Sequence, residues 1–418
     1  MTSTPDELVA RAVPRPRDGV WPGLATPPHS PARARIAESL FRRAVHPLPI
    51  RVLLPGGERF GAGGPDSPVM RVHRPAAFFH RLGADGNIGF GEAYLVGDWT
   101  STALADLLTP FAARMSSLIP PTLQRLRRWV VPRTPSAESN TIDGARLNIH
   151  RHYDMSNDLF AAFLDETMNY SSAWFADGTE TLEDAQRRKM DGVLDLAGVR
   201  CGQQVLEIGT GWGSLAVRAA ERGARVTSLT ISAEQRDLAE RRIAEAGVAD
   251  RVTVLLRDYR EARGSYDAVL SVEMIEAVGE AYWPTYFSAL DRLLAPGGAV
   301  GLQSITMSHD RMIATRQDYS WIHKYVFPGG LIPSVTAIEQ TLAAHTGLRI
   351  SSGRRLGSDY ARTLGHWRRR FLANWEGVAE LGFDGTFRRM WEFYLAYCEA
   401  GFRVGYLDVR QFALRRPG

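Results

Sequence analysis

Residues 205–213 read VLEIGTGWG, in which an apolar stretch is followed by glycine at every second position. The apolar part predicts a buried strand, and an amphipathic pattern that begins at Ser214 predicts a helix after it. Gly209, Gly211 and Gly213 allow positive φ and a close approach of the backbone to a ligand, at the place where open α/β sheets bind nucleotides. The segment therefore predicts a parallel α/β sheet with a ligand at the end of this strand.

An acidic residue before the glycines indicates the kind of ligand. A dinucleotide-binding loop prefers the spacing G-x-G-x-x-G, whereas this loop has G-x-G-x-G with Trp212 inside it and Glu207 at the strand end. A carboxylate at that place suits a cationic amino-acid group better than a pyrophosphate. The alternative is a Rossmann-like domain whose glycines only form tight turns.

After this loop, short apolar runs alternate with amphipathic stretches, which predicts βαβ units. ARVTSLTI and RVTVLLRD are the next two strands, separated by a helix over 233–246, and SYDAVLSV and GAVGLQSIT continue the series. Side chains at the ends of the second and third strands are expected to hold a nucleoside by its ribose and its base. These residues are Thr230, Ile231, Gln235, Asp258 and Tyr259.

The composition is that of a globular protein with more than one domain. The 418 residues are 44% hydrophobic and 23% charged, and the net charge of +4 is only weakly basic. Cys201 and Cys398 are the only cysteines, which argues against a disulfide framework or a cysteine metal cluster. No run approaches the ~20 apolar residues that span a bilayer, and the first residues lack the order of a secretory signal. We therefore expect a cytoplasmic protein with no nucleic-acid partner.

Changes in composition along the chain predict its domain boundaries. The expected parts are a loose arm over 1–35, a small mixed α/β domain over 36–131, a polar linker over 132–149 and a main α/β domain over 150–418. Within the main domain, an aromatic and Pro/Gly-rich segment near 306–345 interrupts the alternation. It is expected to form a lid or the wall of an acyl cavity.

Several separated segments of the main domain resemble the cyclopropane fatty acid synthase family. They are HYDMSNDLF at 152–160, MNYSSAWF at 168–175, VLEIGTGWGSLA at 205–216, LTISAEQ at 229–235, RDYR at 257–260, SVEMIEAVG at 271–279, WIHKYVFPGGLIPS at 321–334 and SDYARTLGHW at 358–367. The resemblance implies a Rossmann-like class I methyltransferase domain, preceded by a smaller N-terminal mixed α/β domain. It also implies S-adenosylmethionine as the methyl donor and a cis double bond of an acyl chain as the acceptor.

An alkene acceptor sets unusual requirements, because its attack on the methyl group leaves a carbocation on the acyl chain. The site must stabilise this cation, exclude water and accept one proton, and aromatic faces serve the first two purposes. The candidates are Tyr170, Trp174, Trp321, Tyr325, Phe327 and Tyr360. Any single aromatic residue is more often core. Tyr170 and Tyr360 stand in the matching segments, and we assign Tyr170 to both the catalytic and the cofactor-binding residues.

In this family a bound bicarbonate assists proton removal, and it is held by a Cys, a Glu, a His, a Tyr and a backbone amide. Matched by segment, Glu276 stands for the glutamate, Tyr360 for the tyrosine and Ile305 for the amide. Ser172 replaces the cysteine and Gln303 replaces the histidine. Both replacements can hydrogen-bond an oxyanion, so bicarbonate is kept as one alternative.

These two replacements bear on the product. With an altered base site, a hydride can shift before a proton leaves the new methyl group, which gives a methylene group instead of a ring. The chain also resembles the actinobacterial enzymes that make a 10-methylene chain from an oleoyl lipid in tuberculostearic acid synthesis. We expect the methylene product, with cyclopropane formation on the same substrate as the alternative. Glu273, one helical turn before Glu276, is expected to have a surface or capping role.

Two further classes of function are weighed against this one. A small-molecule methyltransferase would share the cofactor fold but would not need the aromatic segment at 321–334. A lipid-binding protein without catalysis would be expected to have lost the glycine-rich loop or Glu276, and both are present.

A lipid substrate requires that the enzyme reach a membrane surface. RLRRWVVPR at 125–133 and HWRRR at 366–370 combine arginines with a tryptophan of interfacial type. We expect them to hold the protein at the inner face of the membrane, where a phospholipid is the substrate. The alternative is a solvated basic helix face. A reductase that acts on the product and a homo-oligomeric state are further hypotheses.

Overall fold

Two packing units make up the protein. The structure is a computed structural model that describes residues 20–115, 156–176 and 179–417. Residues 20–115 with 319–321 and 375–400 form the first unit, and the remaining described residues form the second. The expected arm, the expected linker and the basic stretch at 125–133 lie largely or wholly outside the described residues.

Helices and strands are numbered here in chain order. The helices are α1 (Pro31–Val45), α2 (Pro75–Asp85), α3 (Asn87–Leu95), α4 (Leu104–Ala113), α5 (Asn157–Ala161), α6 (Leu182–Ala197), α7 (Ser214–Glu221), α8 (Ala233–Glu245), α9 (Ile275–Val278), α10 (Trp283–Leu293), α11 (His309–Thr315), α12 (Trp321–Tyr325), α13 (Val335–His345), α14 (Gly357–Ala373), α15 (Trp375–Glu380) and α16 (Gly385–Arg403). The strands are β1 (Arg51–Leu53), β2 (Arg59–Phe60), β3 (Val69–Val72), β4 (Trp99–Thr100), β5 (Gln204–Ile208), β6 (Arg225–Thr230), β7 (Val252–Leu256), β8 (Tyr266–Val272), β9 (Leu294–Met307), β10 (Arg349–Arg355) and β11 (Leu407–Arg415).

The first unit contains a small mixed sheet in the order β2-β1-β3-β4. Strand β1 is parallel to β3 and antiparallel to β2. A buried guanidinium crosses this unit, because Arg81 Nε donates to Asp98 Oδ2 at 3.1 Å and Arg81 Nη2 donates to Leu24 O at 2.7 Å. A buried charge needs such partners, so Arg81 and Asp98 are both required where they stand.

The second unit is built on a seven-stranded sheet in the order β10-β11-β9-β8-β5-β6-β7. Strands β5 to β9 are parallel to their neighbours within this set, and β11 is antiparallel to both β9 and β10. The five strands predicted from the alternating pattern are all present. The structure therefore confirms the predicted fold class, a parallel-dominated α/β sheet with a smaller mixed α/β domain.

The two faces of this sheet are covered by different helices. Leu206 and Ile208 face the layer that contains α10 and α13, whereas Val205 faces the layer of α6, α7 and α8. Side chains of a strand alternate between the faces, so Glu207 shares its face with Val205 and is directed toward α6. Because of this alternation, Glu207 lies on the face of the sheet that is covered by α6, the helix that carries Lys189.

That helix, α6, is bounded by two local signals. The Thr181 side chain accepts a hydrogen bond from the Asp184 N–H at 3.1 Å, and the helix ends at Gly198 with φ +69°. A threonine N-cap and a left-handed glycine after the last turn fix the length and position of a helix. Its buried face carries Lys189.

Two parts of the chain differ from the expected domain organisation. Residues 375–400 pack in the first unit, although the sequence places everything from 150 onward in the main domain. Ile338 and Leu342 of α13 lie in the core of the second unit, so this end of the expected 306–345 insertion packs on the sheet. An amphipathic pattern predicts a helix but does not say which surface will cover its apolar face.

Candidate active site

A cavity lies at the carboxyl ends of β5, β6, β7 and β8. Its wall consists of the glycine-rich loop and of the segments that follow the neighbouring strands. Ten residues predicted to bind the cofactor line it: Tyr170, Glu207, Gly209, Gly211, Trp212, Thr230, Ile231, Gln235, Asp258 and Tyr259. They are distant in sequence and meet because parallel strands bring their carboxyl ends to one edge of the sheet.

The three glycines of the loop have positive φ, at +97°, +52° and +89° for Gly209, Gly211 and Gly213. A Cβ on Gly211 would meet no atom within 4 Å, so this position borders open space in the cavity. A Cβ on Gly213 would lie 3.2 Å from the Ala239 Cβ, and Gly213 does not line the cavity. The absence of a side chain at Gly213 lets α7 pack closely against α8.

Glu207 is buried at the end of β5. Its carboxylate accepts a hydrogen bond from the Ser228 hydroxyl at 2.5 Å. Burial raises the pKa of Glu207 to about 8, against the opposite effects of Ser228 and Lys189. A buried carboxylate with an incomplete set of partners gains most from a cationic group placed beside it.

Lys189 lines the cavity but is not among the site residues predicted from the sequence. Its Nζ donates to Asn169 Oδ1 at 3.0 Å and to Ser171 Oγ at 2.6 Å. Burial lowers the pKa of Lys189 to about 8, whereas Glu273 and other carboxylates raise it. A signal was available, because Lys189 and Lys324 are the only lysines in an arginine-rich chain.

The predicted nucleoside positions carry polar groups that are already ordered. Gln235 Oε1 accepts a hydrogen bond from the Thr230 hydroxyl at 3.0 Å. Asp258 forms an ion pair with Arg260, in which Nη2 and Oδ2 are 2.7 Å apart. Burial raises the pKa of Tyr259 to about 12, so its hydroxyl stays protonated near neutral pH.

These residues fit S-adenosylmethionine. Glu207 supplies an anion for the ammonium group, Gly209 and Gly211 leave room for close approach of the ligand, and Gln235 and Asp258 supply polar groups for the nucleoside. The space beside Gly211 that a side chain would fill supports this assignment most directly.

Aromatic rings surround Tyr170 next to the cavity. Its ring centroid lies 5.1 Å from that of Phe160 and 5.2 Å from that of Trp367. Tyr360 meets Trp367 edge to face at 5.9 Å. Trp321, in contrast, is buried in the first unit, 4.8 Å from Phe393, and is a core residue of that unit.

Two glutamates lie at the end of β8. Glu273 Oε1 accepts hydrogen bonds from the Ser172 N–H at 2.9 Å and from Gln303 Nε2 at 2.8 Å. Burial raises the pKa of Glu273, and a hydrogen bond from Tyr360 opposes this effect. The expected surface or capping role of Glu273 is therefore wrong. The residue precedes α9 and has φ +51°, so it does not lie one turn before Glu276 on a common helix face.

Glu276 is held by the next segment of β9. Its Oε1 accepts hydrogen bonds from the Ile305 N–H at 2.5 Å and from the Ser304 hydroxyl at 2.9 Å. Burial, with the charge of Glu273 adding to it, raises the pKa of Glu276 to about 8.

The residues assigned to bicarbonate are brought together, but their donors already have partners. The Ser172 hydroxyl donates to Ala173 O at 3.0 Å, which leaves the Ser172 N–H, and not the hydroxyl, directed at the shared site. Gln303 is fixed at its other end, because Gln411 Nε2 donates to Gln303 Oε1 at 2.9 Å. The donor set is occupied by protein carboxylates, and a bicarbonate ion does not fit it.

In the second basic cluster, Trp367 and Arg370 make contacts within the protein. Trp367 is fully buried against Tyr170, and Arg370 forms an ion pair with Glu183 at 2.7 Å. Trp367 therefore stabilises the site and does not reach an interface. Among the residues that the structure describes, no helix is long and apolar enough to cross a membrane.

Comparison with known protein families and sequences gives consistent matches. Residues 141–412 match the family described as mycolic acid cyclopropane synthetase. The chain is 52% identical over 408 residues to tuberculostearic acid methyltransferase UfaA1 of Mycobacterium tuberculosis, which covers 95% of this chain and 96% of that protein. It is 34% identical over 361 residues to cyclopropane-fatty-acyl-phospholipid synthase of Escherichia coli, covering 83% and 87% of the two chains.

Solved structures of two cyclopropane synthases also match this chain. Mycolic acid cyclopropane synthase CmaA1 complexed with SAH and CTAB has a TM-score of 0.60 at 31% identity, and the match covers 64% of this chain and 97% of that chain. Cyclopropane synthase MmaA2 of Mycobacterium tuberculosis has a TM-score of 0.60 at 30% identity, with the same coverage. SAH is the compound that remains when S-adenosylmethionine has given up its methyl group.

Proposed function

Because this chain belongs to the mycolic acid cyclopropane synthetase family of S-adenosylmethionine-dependent methyltransferases, we propose that it methylates the cis double bond of an unsaturated phospholipid acyl chain. The product in this proposal is a methylene-branched chain formed from an oleoyl-like substrate. Similarity to UfaA1 over nearly the whole of both chains carries the proposal. The alternative product is a cyclopropane ring on the same substrate, which the name of the Escherichia coli relative favours.

In this proposal the cavity binds the methyl donor. S-adenosylmethionine supplies an electrophilic methyl group on a positively charged sulfur. Glu207 offers its ammonium group a counter-charge, and the glycine-rich loop lets the backbone approach it. Tyr170, held by Phe160 and Trp367, helps to keep water away from the reacting carbon atoms.

Stabilisation of the cation falls to groups at the edge of this cavity. Tyr170 and Glu273 both line it, and an aromatic ring and a carboxylate each interact favourably with positive charge. In a desolvated site such interactions exceed their strength in water. The geometry therefore suits a reaction in which positive charge moves from the donor to the acyl chain.

The proposed substrate places the enzyme at a membrane. A phospholipid acyl chain has to be reached from the bilayer surface, and the arginines of 125–133 have the charge to bind anionic head groups. We extend the proposal to peripheral association with the inner face of the membrane and to a reductase that acts on the methylene product. A homo-oligomeric state stays a hypothesis.

Product analysis tests the proposal. The purified protein is incubated with methyl-labelled S-adenosylmethionine and an oleoyl phospholipid, and the extracted lipid is examined by mass spectrometry and NMR. We expect label in the acyl chain and vinylidene proton signals. High-field cyclopropane protons without vinylidene signals would replace the methylene product by the ring, and an unlabelled lipid would refute the substrate.

A further inference from the structure

A protein carboxylate stands where the family resemblance implies an exogenous anion. Three residues assigned to bicarbonate, Ser172, Gln303 and Tyr360, all donate hydrogen bonds to Glu273. The remaining backbone donor, the Ile305 N–H, binds Glu276. These donors are thus engaged by protein carboxylates without a ligand.

We propose that Glu273 is the catalytic base of this enzyme and that its side chain takes the place of bicarbonate. The inference rests on the proposed function, since the proton in question is the one released after methyl transfer. It adds to that function the residue that receives this proton.

Glu273 has the right position for the role. It lines the cofactor cavity, where the methyl group arrives, while Ser172, Gln303 and Tyr360 do not line it. Glu273 therefore lies between the cavity and the residues that donate hydrogen bonds to its carboxylate. These donors hold the group in one orientation, which is what a base in a water-excluding site requires.

The backbone at this position is constrained as well. Glu273 has φ +51°, in the left-handed region, which costs a non-glycine residue roughly 1 kcal/mol or more. Its N–H donates to Gln303 O at 2.8 Å, so Gln303 binds both the backbone and the side chain of Glu273. A glutamate in this conformation is retained against a local cost, as is common at functional sites.

Electrostatics disfavour a second anion at the same place. Glu273 and Glu276 are both partly buried, and the charge of Glu273 adds to the rise in the pKa of Glu276. Lys189 is the cation whose charge acts on Glu273. A bicarbonate ion would add negative charge to a buried cluster that already contains two carboxyl groups.

Methyl transfer and proton removal require no base other than Glu273. The π electrons of the alkene form the bond to the methyl carbon while the bond between that carbon and the donor sulfur breaks, and the sulfur keeps the electron pair in the leaving S-adenosylhomocysteine. A hydride then shifts from the methylated carbon to its cationic neighbour. The cation now lies on the carbon that bears the methyl group. One methyl C–H bond breaks, its electron pair forms the methylene double bond, and the proton passes to a Glu273 oxygen. The carboxyl group returns this proton to water when the product leaves.

Two substitutions and one control test the inference. Glu273→Gln keeps the shape of the side chain but cannot take up the proton. Glu273→Gly empties the site, and glycine tolerates φ +51°, so this variant is expected to fold. Glu280→Gln changes an exposed glutamate and serves as the matched control. Each protein is assayed in buffer freed of carbon dioxide and again with sodium bicarbonate, and calorimetry measures the binding of S-adenosylmethionine.

We expect wild type and Glu280→Gln to turn over equally well with and without bicarbonate. Glu273→Gln should bind the cofactor but lose about 100-fold or more in kcat, without rescue by bicarbonate. Glu273→Gly should show a similar loss and regain about tenfold or more when bicarbonate is added.

A readout without lipid separates this inference from the proposed function. Line broadening of ¹³C-bicarbonate in NMR should appear with Glu273→Gly and not with wild type. Binding of bicarbonate by wild type, its absence in Glu273→Gly, or full activity of Glu273→Gln would overturn the inference. If wild type binds the cofactor and methylates no unsaturated lipid, the proposed function fails, while the NMR comparison still decides what occupies the site.

Discussion

Single residues decide whether the cavity can hold its ligand. Gly211 differs from the other two glycines of the loop because a side chain there would point into open space within the cavity. Gly209 faces Met274, and Gly213 faces Ala239. All three glycines have a positive φ; in addition, a side chain at Gly211 would enter ligand space, and one at Gly213 would crowd Ala239.

Gly211→Val should abolish binding of S-adenosylmethionine, with an affinity loss of about 100-fold or more, because the side chain occupies ligand space. Gly247→Val is the matched control. Gly247 has φ +71° and open surroundings away from the cavity, so valine there creates similar backbone strain without touching the ligand. Calorimetry on both folded proteins provides the measurement. Equal affinities in the two variants would show that strain, and not occupied space, explains any loss.

The sequence identified most site residues but not the most informative ones. The glycine loop and the ends of β6 and β7 were predictable, because strand order in a parallel sheet places such residues together. The role of Glu273 could not be predicted, because a spacing of three residues from Glu276 indicates a common helix face only on an uninterrupted helix, and the helix begins only at Ile275. The role of Lys189 could not be predicted, because its hydrogen-bond partners, Asn169 and Ser171, lie in a loop whose position beside α6 is not evident from the sequence.

At the scale of elements, strands were easier to predict than the partners of helices. The apolar runs of β5, β6, β8 and β9 are largely buried on both faces and leave little choice of structure. The helices at 375–400 have equally clear patterns, but only the folded chain shows that they pack in the first unit. The local sequence determines whether a segment forms a helix or a strand, and long-range packing determines which other element it contacts.

The basic stretch at 125–133 gives an element-scale prediction. Changing Arg125, Arg127 and Arg128 to Ala should weaken binding to anionic vesicles, by about 1 kcal/mol for each residue near the surface, and added salt should reduce the difference. Cofactor affinity should not change. Vesicle co-sedimentation is the measurement. A triple variant at three exposed positions, Arg200, Arg225 and Arg241, removes the same charge elsewhere and should sediment like wild type. If both variants co-sediment with the vesicles to the same extent, residues 125–133 do not bind the membrane and form only a solvated basic surface.

At the scale of the whole molecule, three buried carboxyl groups make stability depend on pH. Burial raises the pKa of Glu207 and of Glu276 to about 8, from an ordinary value of 4.5, and raises that of Glu273 as well. Between these values the folded protein binds more protons than the unfolded chain. Its stability is therefore highest at the acidic end of this window and falls as pH rises toward 8. Lys189, whose pKa is lowered to about 8, has the opposite effect only above that pH.

Urea denaturation of the ligand-free protein at pH 5.5 and pH 8 should show the lower midpoint at pH 8. A single group contributes at most about 1.4 kcal/mol per pH unit to the change. Glu207→Gln removes one contribution and should reduce the difference between the two midpoints, whereas the exposed-site variant Glu280→Gln should not alter it. A midpoint that rises from pH 5.5 to pH 8 would contradict the ionisation behaviour assigned to these groups.

The amide of Gln411 joins two segments that lie far from it in sequence. It donates to Lys189 O at 3.0 Å and to Gln303 Oε1 at 2.9 Å, across 222 and 108 residues of chain. Ribosomes make the glycine-rich loop and both glutamates long before they reach β11. Until that strand inserts beside β9, Gln303 lacks the partner that orients its amide toward Glu273. The orientation of the proposed base is therefore completed only when a strand near the end of the chain pairs with β9.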